Sequence, residues 1–68
     1  MNTDIRKYVI NNFKNSCKVE IKEAISASIK EREDITLPGL GVFFELLWEH
    51  SNNNIRNEIL DILENNLK

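Results

Sequence analysis

The sequence predicts an all-α fold, a small bundle of about four short helices around a central apolar helix. Apolar residues recur at helical spacing in separate stretches along the whole 68-residue chain. The proline and both glycines fall between residues 38 and 41, so residues that break helices interrupt the chain only near its middle. The composition, 41% hydrophobic and 29% charged, is typical of a globular protein.

The length predicts one helical domain that spans residues 1–68. A domain of this size buries only about 60% of the surface that its unfolded chain exposes, and self-association is a common source of further stability. The single cysteine, Cys17, excludes an intramolecular disulfide and a metal site built on a cysteine pair, and it suits a reducing, intracellular setting. We expect neither a signal peptide nor a membrane span, because the apolar runs are too short.

The first two predicted helices are amphipathic. The apolar stripe of the first consists of Ile5, Val9, Ile10 and Phe13. Ser16 is the predicted N-cap of the second helix. The stripe of this second helix consists of Cys17, Ile21, Ala24, Ile25, Ser28 and Ile29. We interpret Cys17 as a small core residue, because free cysteines are among the most buried residues.

Residues 35–48 are the most apolar part of the chain, and residues 37–48 within them are here called the signature segment. Leu37 precedes Pro38 and is expected to lie outside the helical region, with Pro38 at the first helical position. Gly39 and Gly41 are predicted to allow a tight entry or a close backbone approach. The helical face that follows consists of Leu40, Phe43, Phe44 and Leu47, and the other sides carry Val42, Leu46 and Trp48.

A helix that is apolar nearly all round is predicted to be central and buried. A chain this short has little else to cover such a helix, so we hypothesise a homodimer interface there. The residues assigned to the core or to this interface are Leu37, Pro38, Gly39, Leu40, Gly41, Phe43, Phe44, Leu47 and Trp48.

A polar break at residues 50–54 precedes the last predicted helix, with Ser51 or Asn52 as its cap. The apolar stripe of this helix consists of Ile55, Ile59, Ile62, Leu63 and Leu67.

The residue pattern predicts no catalytic, cofactor or metal site. A nucleophilic Cys17 would need a base, and nothing in the sequence brings His50, the only histidine, close to it. Glu45 and Glu49 share a helix face, but His50 points about 100° away from Glu49. Zinc needs three or four convergent ligands. We therefore expect a protein that is not an enzyme, with no cofactor and no small-molecule substrate.

The net charge of −2 gives no general attraction to nucleic acid, but the charges are unevenly distributed. Residues 1–22 carry a charge of +3 and residues 38–68 carry −3. A candidate nucleic-acid contact is the basic set Arg6, Lys7, Lys14, Lys18 and Lys22. The alternative interpretation is that these are scattered solvated side chains, and no aromatic residue lies among them to stack on bases.

The run Leu37-Pro38-Gly39-Leu40-Gly41-Val42-Phe43-Phe44-Glu45-Leu46-Leu47-Trp48 closely resembles the signature of the small acid-soluble spore protein family, type I, of endospore-forming bacteria. The similarity extends along nearly the whole chain. It implies a minor, non-enzymatic protein that is involved in sporulation and located in the cytoplasm of the forespore and in the spore core. The major DNA-coating spore proteins form a different family, so the resemblance implies no DNA protection.

A second, weaker resemblance concerns the amino-terminal half of the HU-type histone-like proteins, in which two helices precede a similar Leu-Pro-Gly-Phe-Gly stretch. There the stretch leads into a β-sheet and basic arms, whereas this chain departs from that pattern after Phe44. Two functions therefore remain open at this point. One is a spore-core protein that acts by packing or protein interaction, and the other is a nucleoid-associated DNA-binding protein that uses a basic face of residues 6–22.

Overall fold

The computed structural model describes residues 3–31 and 34–68. Within these ranges it contains four α-helices and no strand, which confirms the predicted all-α fold. The helices are α1 (Thr3–Phe13), α2 (Lys18–Glu31), α3 (Leu37–Glu49) and α4 (Asn53–Asn66), and a 3₁₀ turn (Asp34–Thr36) leads into α3. None of them is both long and apolar enough to cross a bilayer, as far as the described residues go.

Helix α3 is central, as predicted, because α1, α2 and the 3₁₀ turn all pack against it. The most buried side chain among the described residues is Val42 of α3, which is 0% exposed, and Val9 of α1 follows at 7%. The Phe13 ring lies edge-on to the Phe43 ring, with 5.2 Å between their centroids. The packed part of the molecule is therefore the junction of α1 with α3.

Helix α2 begins at Lys18, so the prediction that Ser16 caps it is wrong. The Cys17 carbonyl accepts the Ile21 N–H at 3.1 Å, and the Glu20 carboxylate accepts the Cys17 N–H at 3.1 Å. These bonds place Cys17 at the capping position. Its side chain is exposed, so the prediction of a core cysteine is also wrong. The cause is that Cys17 precedes the helix instead of belonging to its apolar stripe.

Helix α3 begins one residue earlier than predicted, and Leu37 is helical. The 3₁₀ turn already has a helical backbone at Thr36, with φ −87° and ψ −16°, and the chain passes from it directly into α3. The Thr36 hydroxyl donates to the Ser28 carbonyl oxygen at 3.4 Å, which fixes this entry against the last turns of α2. Packing thus overrides the restriction that Pro38 places on Leu37.

The two glycines lie inside α3 without the close contacts that were predicted for them. A Cβ atom on Gly39 would lie 4.0 Å from Val9 Cγ2, which is ordinary van der Waals contact. A Cβ atom on Gly41 would meet nothing within 4 Å. Neither the available space nor a tight turn therefore requires glycine at these positions.

Helix α4 follows a short polar break. The Asn52 side chain accepts the Ile55 N–H at 2.9 Å, which confirms Asn52 as the N-cap. Several apolar residues of α4 are uncovered, with Ile55 42% exposed and Ile62 63% exposed. Much of the amphipathic face of α4 is therefore left open by the rest of the described chain.

Candidate interaction surface

An open apolar groove of about 540 Å³ runs between α2 and α3. The residues that line it are Ile21, Ile25, Leu40, Phe43, Phe44, Leu46, Leu47 and His50. Phe44 is 43% exposed and Leu47 is 49% exposed, although both were assigned to a core or interface. Since Val42 is the residue that turns inward, the predicted apolar face of α3 is the open one.

The start of the signature segment, residues 37–39, does not line this groove. Pro38 and Gly39 line a second cavity of about 390 Å³, together with residues of α1 and α2. Leu37 is 58% exposed and Gly41 is exposed. The structure therefore divides the signature residues between an entry turn and an exposed apolar surface.

The end of α3 is a layered contact that holds α4. The Phe44 and Trp48 rings stack with 6.1 Å between their centroids, and the Arg56 guanidinium lies 5.1 Å from the centre of the Trp48 ring. Arg56 also donates to the Trp48 carbonyl oxygen from Nε at 3.0 Å and from Nη2 at 2.8 Å. The negative end of the α3 dipole also lies at this carbonyl, so both the Trp48 ring and the helix dipole stabilise the Arg56 cation.

A bidentate ion pair joins α1 to α3. Arg6 donates from Nε to Glu45 Oε1 at 2.6 Å and from Nη2 to Glu45 Oε2 at 2.9 Å. Its hydrogen bonds raise the pKa of Arg6 and lower the pKa of Glu45. The sequence interpretation missed this pair. A signal for it does exist, because Glu45 is the only charged residue within the signature segment and is surrounded by apolar residues.

Arg6 therefore forms an ion pair within the chain, which sets it apart from the four lysines of the predicted basic set. Lys7, Lys14, Lys18 and Lys22 are all exposed. They lie on α1 and α2, two helices that each pack on α3. The predicted nucleic-acid contact thus loses the residue best suited to bidentate phosphate binding, and four solvated lysines remain.

His50, which was considered as a base for Cys17, has another partner. His50 Nδ1 lies 2.9 Å from the Leu46 carbonyl oxygen, so the ring donates there and ends α3. The Ser51 hydroxyl donates to the Leu47 carbonyl oxygen beside it. In residues 3–31 and 34–68, no three histidine, cysteine or carboxylate side chains are arranged to hold a metal ion. The chemistry offered by this surface is therefore apolar contact with a charged margin.

Comparisons with known proteins agree along the whole chain. A family model described as Small, acid-soluble spore protein I matches residues 3–67. The chain is 38% identical to Small, acid-soluble spore protein I of Bacillus velezensis over 68 residues, and this match covers all of this chain and 96% of that protein. It is 37% identical over the same 68 residues to the proteins of this name from Bacillus cytotoxicus and Bacillus subtilis, covering 97% and 96% of them. No solved structure matches the chain.

Proposed function

Because this chain belongs to the Small, acid-soluble spore protein I family, we propose that it is a non-enzymatic component of the endospore core that acts by packing or protein interaction. The observation that carries the second half of the proposal is the open apolar groove between α2 and α3. Apolar side chains are exposed there on adjacent helices, and contiguous exposed apolar surface of this kind marks interaction sites.

The polar residues of the chain support a non-enzymatic role. The side chains with defined geometry serve helix ends and helix contacts, as Asn52, Arg56 and His50 do. The ion pair of Arg6 with Glu45 joins two helices and does not point a charge into the groove. A groove lined in this way favours recognition of another apolar surface over chemistry on a substrate.

The location is tested by following the chain through sporulation. We would place a fluorescent fusion of the full chain in a sporulating Bacillus subtilis strain that lacks its own relative, and would extract the broken spores with dilute acid. The expected result is fluorescence confined to the forespore and recovery of the chain in the acid extract of the spore core. Fluorescence in the mother cell, or recovery only with the outer layers, would contradict the proposal.

The mode of action is tested by cross-linking within intact spores. The wild-type chain is expected to yield cross-linked protein adducts, and Leu47→Glu in the groove is expected to reduce them. Leu37→Glu is a matched control, since Leu37 is equally apolar and exposed but lies outside the groove. Equal amounts of adduct from the wild type and from both variants would show that the groove is not the site of interaction.

A further inference from the structure

We propose that the occupant of the apolar groove is helix α4 of a second copy of the same chain, and that two copies exchange these helices reciprocally. This inference rests on the proposed function and names the partner for the same groove. It begins from two uncovered apolar surfaces in one chain. One is the groove, and the other is the α4 stripe, defined as Ile55, Ile59, Ile62 and Leu63.

The α4 stripe has the form of a helix that packs into a groove. Its residues recur at three- and four-residue spacing on one face, which is the pattern of helix-in-groove recognition. Ile55 is 42% exposed and Ile62 is 63% exposed, and no α4 residue lines the groove of its own chain. Within one copy, therefore, the groove and most of the stripe remain uncovered, and Ile59 is partly covered.

The chain's own α4 is held elsewhere. Only His50, Ser51 and Asn52 separate α3 from α4, and Arg56 in the first turns of α4 is bonded to the Trp48 carbonyl. This attachment fixes α4 at the end of α3, while the groove runs back along α3 from His50 to Leu40. A second copy supplies the same helix without breaking the contact between Arg56 and Trp48.

The exposed area is large enough to supply a dimer interface. A compact monomer of 7.9 kDa exposes about 4,400 Å², whereas this chain exposes 5895 Å². Its radius of gyration is 12.9 Å, against about 11 Å for a compact chain of this length. The excess of about 1,500 Å² per chain exceeds the roughly 800 Å² that each partner buries in a standard interface.

The charges beside the two surfaces are complementary. Around α2, Ala24 and Ser28 line the cavity towards α1, Ile21 and Ile25 line the groove, and the exposed Lys18 and Lys22 come next. Around α4, the exposed Glu58 lies next to Ile62 on the wheel. An α4 stripe in the groove of a second copy would therefore bring an acidic side chain beside basic ones.

A two-fold arrangement satisfies both copies at once. Each copy offers one groove and one stripe, so a pair related by two-fold symmetry covers two grooves with two stripes and leaves none open. The dimer is thus closed, and it does not propagate into a chain of copies.

Sedimentation equilibrium of the full chain over a wide concentration range tests the proposal. We expect a reversible equilibrium between monomer and dimer. Ile62→Glu on the stripe and Leu47→Glu in the groove are each expected to reduce the association constant by on the order of tenfold or more. The matched controls are Leu60→Glu on α4 and Leu37→Glu on α3, which add the same charge at exposed leucines outside the two surfaces. Circular dichroism establishes that each variant retains its helices.

A charge exchange identifies which surfaces meet. Lys22→Glu and Glu58→Lys should each weaken the dimer, and their combination should restore part of the lost association. A strict monomer at every concentration, a series of larger assemblies, or a dimer that responds equally to stripe and control variants would overturn the reciprocal exchange. A monomer that still forms cross-linked adducts in spores through Leu47 would overturn this inference and leave the proposed function standing.

Discussion

At the scale of single residues, the ion pair of Arg6 with Glu45 shows how one charge is accommodated on an apolar helix. The two side chains are 34% and 36% exposed, so the pair is solvated and its main effect is geometric. Two parallel hydrogen bonds fix the position of α1 along α3 next to the buried contact of Val9. The pair therefore sets which turn of α1 meets α3.

The same pair makes stability depend on pH on the acid side. Hydrogen bonds from Arg6 hold the pKa of Glu45 below its ordinary value in the folded chain. Between that lowered value and the ordinary glutamate pKa, the unfolded chain binds more protons than the folded chain, so stability is lost as the pH falls through this range. We expect Glu45→Gln to flatten the acid limb of the free energy of unfolding, measured by urea titration at a series of pH values.

A matched control for this change is Glu64→Gln on the exposed side of α4. Some acid dependence should persist in the Glu45→Gln variant, because the Cys17 N–H also lowers the pKa of Glu20. An unchanged acid limb in Glu45→Gln would mean that the pair does not form in solution.

Gly41 gives a second prediction at this scale. It is exposed inside α3, and a Cβ atom there would meet nothing within 4 Å. Gly41→Ala should therefore raise the free energy of unfolding by about 0.5–1 kcal/mol, since alanine loses less conformational entropy in a helix. Chemical denaturation measures the change. Gly39→Ala is a comparison variant, because a Cβ atom at residue 39 would contact Val9. A loss of stability in Gly41→Ala would show that the backbone at residue 41 needs glycine.

At the scale of helices, the sequence predicted existence and order better than orientation. The apolar stripe of an amphipathic helix shows which face is turned inward, so the spacing alone was enough to predict α1, α2 and α4. α3 is apolar nearly all round, so its spacing could not show that Val42 faces inward and Phe44 and Leu47 face outward. The Arg6 contact was missed for another reason: its partner is 39 residues away, and helical periodicity carries no information at that distance.

The HU-type resemblance is resolved at the same scale. In those proteins the Leu-Pro-Gly stretch precedes a β-sheet, whereas here Leu37–Glu49 is a continuous α-helix. The chain passes into it through a 3₁₀ turn, and the stretch serves as a helix start. The predicted departure after Phe44 therefore begins earlier, at the first residue of α3.

Helix α4 depends on its cap more than a buried helix would. Asn52→Ala removes the acceptor for the Ile55 N–H, and we expect a cost of about 1 kcal/mol to the helix. Because few contacts hold α4, the loss should appear as faster amide hydrogen exchange within α4, with α1 and α3 unchanged. Asn54→Ala is the control, since Asn54 is an exposed asparagine inside the same helix. Equal effects from the two substitutions would contradict the assignment of the cap.

At the scale of the whole molecule, the small buried core and the large exposed apolar area are two aspects of one property. Among the described residues only Val9 and Val42 are buried, while thirteen large apolar side chains are exposed. A chain that buries so little has a marginal free energy of folding by itself. Sequence length predicted this shortage of core, and the apolar circumference of α3 predicted an open surface there, but nothing in the sequence identified the groove between α2 and α3.

The net charge leads to a prediction about DNA. The chain carries −2 overall, and its one arginine in the predicted basic set is paired with Glu45. We expect a fluorescence titration with duplex DNA to show no salt-sensitive binding at micromolar protein and physiological salt. Glu45→Gln, which releases Arg6, is the informative control. Strong binding by the wild-type chain that weakens steeply with added salt would restore the DNA-binding alternative.

The stacked contact at the end of α3 has an optical consequence. Trp48 is the only tryptophan in the chain, and its ring contacts both the Phe44 ring and the Arg56 guanidinium. Its emission therefore reports one event without any label: whether the last helix is attached to the third. Arg56→Leu should shift the emission of Trp48, while Lys7→Leu at an exposed position of α1 should leave it unchanged. The protein thus contains an intrinsic probe at the joint that positions α4.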